Sequence, residues 1–93
     1  MRIISQNGKF DLPYENLAIF VEYENVIARF ENERYLLGQY SSEAKAIKAM
    51  EALRETWINE TVEFEDGIYH RNIIFHYHRN IIFQFPKDSE IEV

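Results

Sequence analysis

The chain has no cysteine among its 93 residues. That excludes a disulfide framework, a thiolate nucleophile and a thiolate metal site. Secreted domains of this size often depend on such staples, so the expected setting is the cytoplasm. Glycine is scarce, and Gly8, Gly38 and Gly67 stand alone, so no glycine-rich loop exists to cradle a phosphate. No stretch approaches the roughly 18 apolar residues of a membrane span, and the opening MRIISQNG lacks the pattern of a signal peptide. Neither a membrane nor a cofactor is expected as a partner.

Basic charge is also in short supply. Ten Lys and Arg face sixteen Asp and Glu, a formal net charge of −6. Nonspecific binding to phosphate backbones draws on clustered cations, so direct nucleic-acid binding is not expected. The imbalance is sharpest between Glu51 and Asp66, where Glu51, Glu55, Glu60, Glu63, Glu65 and Asp66 face only Arg54. A run of this kind serves as a solvated face or as a negative patch that steers a basic partner. Catalytic signatures are missing as well: no Ser, Thr or Cys sits in a recognisable nucleophile motif. Abundant carboxylates do not by themselves make an acid–base pair. The expectation is a protein that is not an enzyme.

What the sequence does contain is patterning. A hydrophobic share of 46% at this length predicts one folded domain over 1–93. Met1 to Ser5 reads as a short strand, followed by the turn Gln6 to Lys9 and a return through Phe10 to Leu12. Pro13 belongs at an edge or a connection, because it has no amide hydrogen to give a central ladder. Leu17, Ile19, Val21 and Tyr23 recur at every second position, as do Val26, Ala28 and Phe30, and a third run spans Tyr35 to Tyr40. Period two with short turns predicts an antiparallel meander.

At Ser41 the period changes. Ala46, Ile47, Ala49, Met50, Leu53, Trp57 and Ile58 are read as one side of a helix, and Lys45, Lys48, Glu51 and Glu55 as the other. Ser41 is the expected N-cap, and Glu43 suits the positive end of the helix. The predicted class is therefore α+β: an antiparallel meander with one long helix packed on it, then a C-terminal strand or hairpin.

That last element is unusual. The eight residues 69–76 recur at 77–84, with only His76 changed, to Gln84. Eight is even, so a strand through both copies keeps Tyr69, Ile73, Phe75, Tyr77, Ile81, Phe83 and Phe85 on one face. Unbroken from Tyr69 to Phe85 it would span about 55 Å at about 3.3 Å per residue, too long for one small core. The chain either folds back as a hairpin or projects and pairs with another subunit, which makes a homodimer an expected assembly. His70, His76 and His78 all lie here and are weak candidates for a zinc site. Arg71 and Arg79 offer a paired anion contact or a solvated role. Residues 87–93 are expected to form a tail, with Ile91 and Val93 clipped back onto the body.

The opening MRIISQNGKFDLPYE, the middle GQYSSEAKAIKAMEALRE and the ending IIFQFPKDSEIEV together resemble small uncharacterised proteins of phages and prophages of Gram-positive bacteria. The resemblance implies a mobile-element setting and carries no catalytic residues. It leads to an expected role as a binding module for a host protein, inhibiting a host defence through the acidic surface. The alternative is an assembly protein that oligomerises through the duplicated segment.

Overall fold

The computed structural model describes residues 1–66 and 81–92, and within the helix it describes side chains as far as Ile58. The described residues form an α+β fold of two three-stranded sheets and one helix. In the first sheet β1 (Arg2–Ile4) is central. It pairs antiparallel with β2 (Asp11–Pro13), Ile3 facing Leu12. On its other side it pairs parallel with β6 (Ile82–Gln84), Ile3 facing Phe83. Pro13 ends an edge strand, where its missing donor costs no ladder bond.

The second sheet is the expected meander: β3 (Ala18–Glu22), β4 (Asn25–Phe30) and β5 (Glu33–Gln39). Both of its turns are two residues long, with Glu22 opposite Asn25 and Phe30 opposite Glu33. Glu31 and Asn32 have φ of 50° and 68°, the paired left-handed conformation whose twist suits a tight hairpin. One irregularity matters for the core. Ile27 faces Leu36 and Val26 faces Gly38, so Leu37 is an extra residue on β5. The bulge leaves Leu37 with no exposed surface, and its carbonyl accepts from the Gln6 amide at 2.6 Å.

Gln6 ties the two sheets together. Its side-chain oxygen accepts from the Gln39 amide at 3.0 Å, while its Nε2 donates to the carbonyls of Gln39 and Pro86, each at 3.2 Å. The rings of Phe10 and Tyr35 meet edge to face at 5.1 Å across the same junction.

The helix α1 runs Glu43–Asp66 and packs on β3 and β4. Ala46, Ala49 and Leu53 are buried, and the small alanines let the helix approach the sheet closely. Met50 and Trp57 are half-buried against the same core. Ile47 and Ile58, predicted on this face, are instead 44% and 50% exposed. At 100° per residue both positions fall on the side opposite Ala49 and Leu53, so residue type misled where phase decides.

The C-terminal segment closes the structure. Ile81 and Phe83 pack inward and Phe85 is buried, while Ile82 is 66% exposed, the alternation predicted for this stretch. The hairpin or projecting form of the duplicated segment lies outside the described residues, as do Tyr69 to Arg79 and Val93. Lys87 to Glu92 lie on the body of the protein: a short 3-10 turn spans Asp88–Glu90, and Ile91 packs against the core.

Candidate functional site: the outward face of the helix

The helix begins differently from expectation. Ser42 is the residue whose Oγ accepts from the Lys45 amide, at 3.2 Å, so Ser42 occupies the capping position. Ser41 serves the C-terminal segment: its amide and its Oγ both donate to Asp88 Oδ1, at 2.8 and 3.1 Å. Lys45 Nζ adds a contact to Asp88 Oδ2 at 3.4 Å. The Ser41 amide bond, followed by the Ser41 hydroxyl and the Lys45 charge, holds the Asp88 carboxyl below its ordinary value despite some desolvation.

From this clamped start the helix presents an outward stripe at positions 47, 51, 54 and 58, spaced four, three and four residues apart, as one helix face requires. Ile47, Glu51, Arg54, Glu55 and Ile58 are all exposed. The stripe is about 16 Å long at 1.5 Å per residue. It places two large apolar side chains at its ends, with Glu51 and Arg54 between them and Glu55 beside them, a pattern suited to laying a helix into a groove. Residue type alone assigns Ile47 and Ile58 to the core side; helical phase is the signal that turns them outward.

The helix continues through Glu60, Glu63, Glu65 and Asp66 and has no basic residue in its last turn. A helix C-terminus carries partial negative charge, so acids there oppose the backbone dipole, at about 0.3–1 kcal/mol each. Of the six acids singled out from sequence, the structure places Glu51 and Glu55 together on the exposed face. The side chains of the other four lie outside the described residues.

On the inner side, Tyr14, Leu17, Ile19, Met50, Leu53, Arg54 and Trp57 line an open cleft of about 400 Å³ between the helix and β3. Tyr14 and Trp57 form its wall, with ring centres 5.0 Å apart. No group of three or more His, Asp or Glu able to hold a metal occurs among the described residues. The candidate ligands His70, His76 and His78, and the segment proposed for oligomerisation, Tyr69, Ile73, Phe75 and Tyr77, lie outside them. Among the described residues no helix is long and apolar enough to cross a membrane.

No family model, curated protein or solved structure matches the chain.

Proposed function

We propose that this chain is a noncatalytic protein-binding module of a phage or mobile element, using the outward face of α1 to engage a basic surface on a host protein. Inhibition of a host defence protein is the role this reading favours. The carrying observation is the acidic helix end without a basic residue, set beside exposed Ile47 and Ile58. Carboxylates that work against the helix dipole cost stability, and a surface that accepts such a cost is accounted for by what it attracts. The acids steer a basic partner, and the isoleucines supply the desolvated anchors that bare charge lacks.

The test is capture of partners from a Gram-positive host lysate by the wild-type chain, in parallel with Glu51→Gln/Glu55→Gln and Ile47→Ser/Ile58→Ser variants. The expected result is a host protein whose capture weakens with salt and is lost in both variants. Equal recovery by all three chains would remove the helix face from the reading.

An assembly role is the second reading. It is favoured by the edge of β3, which no described strand pairs.

A further inference from the structure

We propose that the edge of β3, unpaired among the described residues, pairs antiparallel with the β3 edge of a second copy of this chain, joining two three-stranded sheets into one of six strands across a two-fold axis at Phe20. The surface is separate from the outward face of α1, and the two can be occupied together.

A strand edge offers a row of unpaired amides and carbonyls, and proteins usually blunt it. Among the described residues the other three sheet edges are blunted. Edge strand β2 carries Pro13, β6 is three residues long, and β5 is bulged at Leu37 and tied to Gln6. Strand β3 reads Ala-Ile-Phe-Val-Glu, with no proline, no lysine and no bulge.

The register follows from the hairpin. Its two-residue turn closes on Glu22 and Asn25, so these form a hydrogen-bonded pair, and by alternation Phe20 with Ile27 and Ala18 with Arg29 are the next ones. The amides and carbonyls of Ile19 and Val21 therefore point away from β4. No described residue outside β4 bonds to them. Centring a second β3 on Phe20 sets Ile19 opposite the partner's Val21 and Val21 opposite the partner's Ile19, satisfying all four outward pairs. Phe20 then meets the partner's Phe20 in the close, non-hydrogen-bonded position, where cross-strand side chains interact most strongly.

The charges fit the same register. Arg29 is exposed, and no ion pair of it is found among the described residues. Glu22 uses Oε1 for Arg34, at 2.8 Å, which leaves Oε2 for another donor. In the paired sheet the partner's Glu22 stands opposite Ala18, and Arg29 lies one strand further on the same face. The methyl group of Ala18 leaves room for Arg29 to reach across it, and symmetry gives the contact twice. A row that is apolar in the centre, with acid at one end and base at the other, matches itself when turned by 180°.

Sedimentation equilibrium from micromolar to near-millimolar protein tests this. The expected species has twice the 11.2 kDa of one chain. Phe20→Glu sets two carboxylates opposite each other and should weaken association at least about tenfold with the circular dichroism spectrum unchanged. Arg29→Glu and high salt should weaken it less. In the wild-type chain, hydrogen exchange at the Ile19 and Val21 amides should slow as concentration rises, while the Phe20 amide stays protected throughout. That measurement decides the matter even where Phe20→Glu does not fold. A monomer at every concentration, fast exchange at Ile19 and Val21 in an associated species, or a dimer that folded Phe20→Glu leaves intact would each overturn the proposal. The last result would move the interface to another segment, such as the duplicated one.

Discussion

Gly38 is the residue on which the centre of the fold turns. A methyl group placed there would lie 2.7 Å from Tyr40 Cε2 and 2.9 Å from its hydroxyl, so the missing side chain is the space the Tyr40 ring occupies. Tyr40 is buried, and its hydroxyl donates to the Pro86 carbonyl at 2.8 Å. Burial pushes that phenol above its ordinary value, with Asp88 and Glu90 adding to the effect, so it is a protonated donor at neutral pH. Replacing Gly38 by Ala is expected to cost about 1–3 kcal/mol through overpacking. Tyr40→Phe is expected to cost about 0.5–1.5 kcal/mol through the lost hydrogen bond. Urea denaturation midpoints check both. Two residues along, Asp88 gives a pH signature. Its folded value is lowered, so its contribution is present above the ordinary carboxylate range and is lost as pH falls through the lowered value. Thermal midpoints of wild-type and Asp88→Asn chains should differ near neutral pH and converge in acid. No rule of spacing reveals this group, because Ser41, Lys45 and Asp88 are brought together by the tertiary fold.

The elements were far more legible. Period two gave the three strands of the meander, and the change to a helical period gave α1, because both patterns record which side chains must leave water. What pattern does not give is phase at the margins: hydrophobicity alone puts Ile47 and Ile58 in the core, and residue type does not separate Ser41 from Ser42 as the cap. The bulge at Leu37 was equally hidden, since an extra residue in an apolar run leaves the composition unchanged. Two predictions belong to the helix. Trp57 is half-buried against Tyr14, so Trp57→Ala should cost about 2–3 kcal/mol, below the range for a fully buried Trp, as read by chemical unfolding. The double variant Glu63→Gln/Glu65→Gln should do the opposite and raise the thermal midpoint, because it removes charge from the negative end of the helix. The same variant should weaken capture of a basic partner. Gain in stability with loss of binding is the combination that separates an interaction surface from a merely solvated one.

For the whole molecule, the sequence supplied the class and withheld the closure. A strand pattern reads the same whether its neighbour runs parallel or antiparallel, so nothing local announced that β6 would lie parallel to β1. Nor did it announce two sheets in place of one. Their junction depends on Gln6, a polar residue in a turn, reaching Gln39 and Pro86 at once. Removing that reach in Gln6→Ala should loosen the sheets against each other, seen as faster hydrogen exchange at the Gln39 amide. The self-matching row on β3 is likewise visible only after the strands are in register, because Arg29 and Glu22 share a face by pairing and not by sequence spacing.

One of the two neighbours of β1 is a strand 80 positions away along the chain, Ile3 facing Phe83. As the ribosome delivers the protein from its amino end, the hairpin of Arg2 to Pro13 emerges early, with one flank of its central strand bare until Ile82 to Gln84 have been made. Contacts between such distant partners form slowly, since a long loop must close before any reward arrives. During that interval the nascent chain holds an open apolar strand, and the step that ends its exposure is the arrival of Phe83 and Phe85.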